Sequence, residues 1–349
     1  MNEAPMVPPI YDVRLEMFLT LTTDADARRV ANTLTQLGLW SRALRDDAGQ
    51  VTGFWIEPSS QPVAHDTLAA LDGIAAVLQS KSTHPLIDRV AQARSIIDVS
   101  RPSCTLMAGP CAAESAASVH EIAKWVAACG GRYLRGGAFK PRTSPHAFSG
   151  YGRDALQWLR RAADAYGLGV VTEVLSETDV QLVADHADII QIGSRNMQNY
   201  ALLRRVGQVE KPVLLKRGIA ATVDEWLLAG EHLYKGGASE VIFCERGIRG
   251  FDPKTRNLLD LGAVAVLAHQ YGLPVVVDPS HAVGRRDLIT PLSLAALAAG
   301  AKGLLIETNP YPADAQSDGP QALSTDELRR LAEAIGLKSQ AARGQDLAS

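Results

Sequence analysis

From residue 103 onward the chain repeats one small unit eight times: a short apolar run, then a segment with helical periodicity. The runs are Thr105–Ala108, Tyr133–Leu134, Gly169–Thr172, Asp188–Gln191, Pro212–Leu215, Glu240–Phe243, Pro274–Val277 and Gly303–Ile306. Helical patterns follow near 116–129, 153–166, 177–185, 198–206, 222–235, 257–271, 285–299 and 324–337. Eight strand-helix units over about 240 residues match the length of a closed (β/α)8 barrel, the TIM-barrel architecture. An open doubly wound sheet also alternates strand and helix, but it rarely needs eight such units.

The part before the barrel has a different rhythm. Residues 13–21 alternate like a strand (Val13, Leu15, Met17, Leu19), and 24–37 carry a helical period (Ala27, Val30, Leu34, Leu37) behind Asp24 as the expected cap. Strands are expected at 39–45 and 51–56, joined as a hairpin by Asp46-Asp47-Ala48-Gly49, followed by a weaker helix near 65–72 and a strand at 74–79. The order β-α-β-β-α-β is the ferredoxin-like split arrangement, an α+β fold whose sheet leaves one face uncovered by helices. The expected organisation is a small, regulatory-type domain over 10–80, a linker over 81–102 and a catalytic barrel over 103–340.

Composition narrows the function. Lys and Arg number 35 against 38 Asp and Glu, a net charge of −3, so a general polyanion such as nucleic acid is not an expected partner. No apolar run approaches the roughly 20 residues that span a bilayer. Cys104, Cys111, Cys129 and Cys244 show no CxxC spacing, and the Met-Asn-Glu-Ala-Pro start lacks a charged region followed by an apolar one. A cytoplasmic protein without a disulfide framework is expected.

Barrel active sites sit at the C-terminal ends of the strands. Those ends carry Cys111, then Arg135, Lys140 and Arg142, then Glu173, Arg195, Lys216 with Arg217, Glu245 with Arg246, Asp278 with His281, and Glu307. Five or more cations on one rim of a slightly acidic protein imply a substrate with several negative charges, such as phosphates plus a carboxylate. The loop Gly136-Gly137-Ala138-Phe139-Lys140-Pro141-Arg142 adds glycine for close backbone approach and proline for rigidity. Cys111, His281, Glu307 and Asp318 form a mixed S/N/O set suited to a divalent metal ion such as Mn²⁺, Fe²⁺, Co²⁺ or Zn²⁺. Barrel closure makes the first, seventh and eighth strands neighbours, so Cys111 and His281 can meet.

Six motifs then carry a resemblance: Gly109-Pro110-Cys111-Ala112-Ala113-Glu114-Ser115, Leu134 through Pro145, Ile192-Gly193-Ser194-Arg195-Asn196, Leu215-Lys216-Arg217-Gly218, Cys244-Glu245-Arg246-Gly247-Ile248-Arg249 and Val277-Asp278-Pro279-Ser280-His281. In this order they resemble the type I 3-deoxy-D-arabino-heptulosonate 7-phosphate (DAHP) synthases, specifically the subgroup with an N-terminal ferredoxin-like domain. The related octulosonate 8-phosphate synthases carry Lys-Ala-Asn-Arg where this chain has Lys140-Pro141-Arg142-Thr143. The resemblance implies a transferase that condenses phosphoenolpyruvate with erythrose 4-phosphate and releases phosphate, at the entry of the shikimate pathway towards aromatic amino acids. It implies that Arg135, Lys140, Arg195, Lys216 and Arg246 hold phosphoenolpyruvate, and that Arg142 and Thr143 take the sugar phosphate. It also implies that Lys140 is the general acid near the aldehyde, that a water near Glu173 and Lys216 attacks C2, and that the metal ion on Cys111, His281, Glu307 and Asp318 polarises the aldehyde. An allosteric aromatic amino acid effector between paired N-terminal domains, and a homo-oligomer (dimer or tetramer), follow from the same resemblance.

The chain also departs from the family's pattern. After Glu307 it has Thr308-Asn309-Pro310 in place of the usual Val-His-Pro, and Asn309 cannot carry a proton near neutrality. His146-Ala147-Phe148-Ser149-Gly150-Tyr151 replaces a more usual Tyr-Ser-Phe-Gln-Gly-Leu, and Gly250 stands where Thr is common. These positions keep open a different aldose phosphate acceptor in a specialised pathway. A catalytically silent binding barrel is the reading from another class, and the full set of metal and anion candidates argues against it.

Overall fold

The computed structural model describes residues 17–57, 63–79, 82–90, 95–97, 104–140, 146, 148–314 and 319–337. The chain divides between Thr83 and His84 into two compact units. The first contains β1 (Met17–Leu21), α1 (Ala27–Gln36), β2 (Ser41–Arg45), β3 (Val51–Ile56), α2 (His65–Ala69) and β4 (Ile74–Gln79). Its antiparallel sheet has the order β2-β3-β1-β4. Strand alternation puts Met17, Leu19, Phe54 and Ile56 on one face, where Val30 and Leu34 of α1 and Leu68 of α2 close the core. On the opposite face the register aligns Arg42, Trp55, Phe18 and Leu78 in one row that neither helix covers. The first helix is capped by Asp26, not Asp24: the Asp26 carboxylate accepts the Arg28 and Arg29 N–H groups, two of the otherwise unpaired donors of the first turn.

The second unit starts with α3 (Pro85–Val90) and continues through β5 (Thr105–Gly109), α4 (Ala116–Ala128), β6 (Tyr133–Arg135), α5 (Arg153–Ala165), β7 (Gly169–Glu173), α6 (Val180–Ala184), β8 (Ile189–Ile192) and α7 (Tyr200–Gly207). It ends with β9 (Pro212–Lys216), α8 (Val223–Gly236), β10 (Glu240–Glu245), α9 (Leu261–Ala265), β11 (Val275–Val277), α10 (Pro279–Val283), α11 (Ile289–Ala298), β12 (Gly303–Glu307) and α12 (Thr325–Ala334). The eight strands β5 to β12 pair in parallel and close into a barrel through β12 and β5. Among the described residues no helix is long and apolar enough to cross a membrane.

Two-residue alternation sorts every barrel strand. Met107, Val171, Ile189, Leu214, Ile242, Val276 and Leu305 point inward and pack the interior, while their neighbours face the helices. Ile97 joins the interior cluster. It comes from the segment expected as a linker, whose described residues from His84 onward belong to the barrel unit: Glu231 of α8 accepts the Leu86 and Ile87 N–H groups, and Glu240 at the start of β10 accepts that of Ile96. Two residues further along each strand, the inward positions at the mouth are Gly109, Arg135, Glu173, Gln191, Lys216, Cys244, Asp278 and Glu307. Gly109 is required by space, because a Cβ there would lie 1.9 Å from the Arg135 carbonyl oxygen.

Trp226 of α8 anchors the outer layer. It is fully buried, meets Phe243 edge to face at 5.3 Å, and donates its indole N–H to the Leu215 carbonyl at 3.1 Å. Trp226→Ala is expected to cost about 3–5 kcal/mol in urea unfolding, with Trp226→Phe costing clearly less. Equal midpoints for all three proteins would contradict this packing.

Candidate active site

The mouth is organised by Asp278, the residue that follows β11. Its Oδ1 accepts the His281 backbone N–H at 3.0 Å and starts the short helix α10, with Pro279 in the first helical turn. Its Oδ2 lies 2.7 Å from His281 Nδ1, which leaves Nε2 turned to Glu307 Oε1 at 3.1 Å. Glu307 ends β12, and its backbone N–H donates to Ser280 Oγ of the same short helix. Cys111 lies just past β5, the strand that pairs with β12. One ligand atom each of Cys111, His281 and Glu307 falls within 4.8 Å of the others. A thiol, an imidazole nitrogen and a carboxylate fit a divalent transition metal, and the carboxylate behind Nδ1 is the partner that orients a metal-binding histidine. Asp318, the fourth expected ligand, lies outside the described residues.

Electrostatics tie this trio to the cations. Burial disfavours a charged His281, yet Asp278 and then Glu307 raise its pKa above the ordinary value. Burial would likewise push the Asp278 carboxyl up, but His281 and Lys216 outweigh it and hold Asp278 well below the usual carboxylate range. Glu307 is shifted in the same direction by His281 and Arg135 against the same burial. Arg135 Nη1 stands 3.0 Å from Glu307 Oε1, Lys140 Nζ 2.8 Å from Cys111 Sγ, and Lys216 Nζ 2.6 Å from Asp278 Oδ2. Three of the five expected anion-binding cations therefore already have partners.

The other two do not. Among the described residues, neither exposed Arg195 nor Arg246, 8% exposed, forms a hydrogen bond or salt bridge. Burial lowers the Arg246 pKa, with Asp278 opposing and Arg256 adding to the shift. A buried guanidinium with no hydrogen-bonded counter-ion is unfavourable until an anion reaches it. Beside this, Glu173 stands over Gly193, where a Cβ would lie 2.0 Å from Glu173 Oε1, and its other oxygen accepts from Gln191 Nε2 at 3.3 Å. Cys111, Arg135, Lys140, Thr172, Glu173 and Gln191 line one small cleft.

Several expectations are corrected. Arg217 and Glu245 do not face the mouth: they follow the outward parity of Leu215 and Phe243 and bond to each other behind the barrel wall. His281 sits on a helical turn, α10, that the sequence reading ran into the strand end. The Asn309 carboxamide accepts the Tyr311 N–H at 2.9 Å and so serves a local turn. Phe148 and Tyr151 of the divergent loop meet in series with Trp158 as tilted ring pairs, with centroids 5.1 and 5.4 Å apart. Arg142 and Thr143 lie outside the described residues. Gln191, Ser280 and Gln321, whose amide bonds the Glu307 carboxylate, were missed. Gln191 was legible as the one polar residue of Ile189-Ile190-Gln191-Ile192 with the inward parity of Ile189; Gln321 ends a single 3-10 turn, Gly319–Gln321, too short to carry a periodic signal.

A closed (β/α)8 barrel whose mouth combines a metal-type donor trio with unpaired cations is the architecture of an enzyme acting on small anions. The chain belongs to the DAHP synthetase I family, whose sequence model matches residues 89–342. It is 41% identical over 330 residues to the phospho-2-dehydro-3-deoxyheptonate aldolase of Thermotoga maritima, covering 91% of this chain and 97% of that protein. The 2-dehydro-3-deoxyphosphooctonate aldolase of Acidithiobacillus ferrooxidans is 33% identical over 237 residues, covering 62% and 83%. A crystal structure of the Thermotoga maritima DAHP synthase superposes with a TM-score of 0.71 at 40% identity, covering 92% of this chain and 96% of that one.

Asp278→Asn should leave Lys216 and His281 without their shared counter-ion. Loss of the carboxylate behind a metal-binding histidine is expected to weaken divalent-metal binding about 10–100-fold, measured by calorimetry. Unchanged affinity would show that Asp278 does not orient His281.

Proposed function

We propose that this protein is a DAHP synthase: it condenses phosphoenolpyruvate with erythrose 4-phosphate and releases phosphate, at the first step of the shikimate pathway. The observation that carries the reading is the juxtaposition at one barrel mouth of the Cys111, His281 and Glu307 donors with the two unpaired cations Arg195 and Arg246. Support for the heptulosonate over the octulosonate product comes from Lys140-Pro141-Arg142-Thr143, and from a match to the heptonate aldolase that extends over nearly the whole chain.

In this reading Arg195 and Arg246 take the charges of phosphoenolpyruvate, with Arg135 and Lys216 held beside them by Glu307 and Asp278. Arg142 and Thr143 receive the sugar phosphate. C3 of phosphoenolpyruvate attacks the aldehyde carbon, and the aldehyde oxygen takes a proton from Lys140. Water adds to C2 and gives one proton to Glu173, which Gln191 orients; the C2–O bond to phosphate then breaks as the C2 hydroxyl becomes the ketone, and the hydroxyl proton leaves with the phosphate. Fixing two anions side by side is itself a large catalytic term. Cys111, His281 and Glu307, joined by Asp318, would hold a divalent ion such as Mn²⁺, Fe²⁺, Co²⁺ or Zn²⁺, which supplies Lewis acidity towards the aldehyde oxygen.

Chelation is expected to abolish phosphate release, and Cys111→Ala to prevent rescue by Mn²⁺ or Co²⁺; full turnover by metal-free protein sinks the metal assignment. Arg195→Ala should raise the phosphoenolpyruvate KM roughly 10–100-fold while Arg142→Ala does so for erythrose 4-phosphate, as expected for charged hydrogen bonds. Equal effects on both substrates reject the division of the site.

The N-terminal unit contributes none of these residues. Its helix-free row of Arg42, Trp55, Phe18 and Leu78 supports a role in pairing with a second copy, and with it membership of the subgroup regulated through this domain by an aromatic amino acid. Deleting residues 1–80 should then preserve turnover and remove inhibition by tyrosine or phenylalanine. A full-length enzyme indifferent to all three aromatic amino acids refutes that role.

A further inference from the structure

Arg217 and Glu245 sit next to Lys216 and Arg246 in sequence, yet alternation turns both away from the mouth, into the layer between strands and helices. There they form a closed network. Arg217 Nη1 donates to Glu245 Oε2 at 3.0 Å and to Asp260 Oδ2 at 2.8 Å, and Nε donates to the Ala221 carbonyl at 3.1 Å. The guanidinium carbon stands 5.8 Å from the Trp226 ring centroid. Asp260 Oδ1 accepts the Ala263 N–H and caps α9. Glu245 Oε1 accepts the Gly247 N–H at 2.6 Å.

That last bond spans Arg246. The side chain of the residue before it grips the amide of the residue after it, with Gly247 at φ +91°, a conformation that favours glycine. A Cβ on Gly247 would lie 2.8 Å from Asn257 Cβ, so the turn is also sterically fixed. On either side the backbone is pinned by neighbouring strands: the Arg217 N–H donates to the Cys244 carbonyl and the Asp278 N–H to that of Glu245. A buried ion network of this kind adds little net stability. Its definite product here is geometric.

We propose that the Arg217–Glu245–Asp260 network is a positioning device for the anion site, holding Arg246 at the mouth in the conformation that receives the substrate's charge. This rests on the assignment of Arg246 to phosphoenolpyruvate. Preorganising the guanidinium removes an ordering cost from the binding step, so the network acts on substrate affinity more than on turnover.

Glu245→Gln tests it: the variant keeps side-chain length and an oxygen for the Gly247 N–H but loses the charge that holds Arg217. Calorimetry with phosphoenolpyruvate on the Mn²⁺-loaded full chain should show binding weakened at least about fivefold, with KM raised to match and kcat within about twofold. In an Arg246→Ala background the same substitution should change affinity less than about twofold, because its effect runs through Arg246. Asp260→Asn, which retains the helix-capping oxygen, should act in the same direction and carries the cycle if Glu245→Gln does not fold by circular dichroism. Equal losses in both backgrounds, or no loss in the native one, overturn the positioning role. Should Arg246→Ala itself leave phosphoenolpyruvate binding unchanged, the anion-site assignment fails and the proposal falls with it; should only Glu245→Gln and Asp260→Asn be silent, the assignment stands and the positioning alone is wrong.

Discussion

One buried carboxylate couples the two halves of this site. Asp278 bonds Lys216 on one side and His281 on the other, both through Oδ2, while its Oδ1 starts the helical turn that carries His281. The orientation of a metal-type ligand and the placement of a cation at the mouth therefore share a single acceptor. In a low-dielectric interior such an arrangement is rigid, because moving either partner strands the other charge. The barrel supplies the reason Asp278 can be there at all: its position continues the inward parity of Val276 beyond the packed core.

The same logic divides the cations by task. Arg135 and Lys216 are held by the carboxylates of Glu307 and Asp278, so their charge is balanced within the protein, and Lys140 is held by hydrogen bonds to Cys111 Sγ and the Cys111 carbonyl. Arg195 and Arg246 supply the unbalanced charge, one exposed and one buried. A site built this way attracts an anion at its outer edge and orients it deeper in, with little side-chain movement required.

Period and parity explain how much was legible in the chain. The eight barrel strands follow from short apolar runs separated by helical patterns, and the N-terminal sheet from its alternation. Cys111, His281 and Glu307 were found because barrel closure brings their strand ends together whatever their separation in sequence. Pairing was not legible: a sequence displays Lys216 and Asp278 as two charges 62 residues apart and says nothing of the 2.6 Å between them. Glu245 and Arg217 were misplaced because the rim was taken by position along the strand, without carrying the inward and outward parity past its last residue. The cap at Asp26 in place of Asp24 shows the usual limit at helix ends, where several polar residues compete for the same free N–H groups.

Parity also sets how this chain can vary by descent. Lys216 and Arg217 are adjacent cations with opposite destinations, one turned to the mouth and one to the wall. Loss of a single codon within Pro212–Lys216 would move Arg217 into the inward place against Asp278, turn Lys216 outward at the place of Leu215, and leave Gly218 opposite Glu245 and Asp260. A substitution in this strand disturbs either the mouth or the wall, whereas a change of length disturbs both at once.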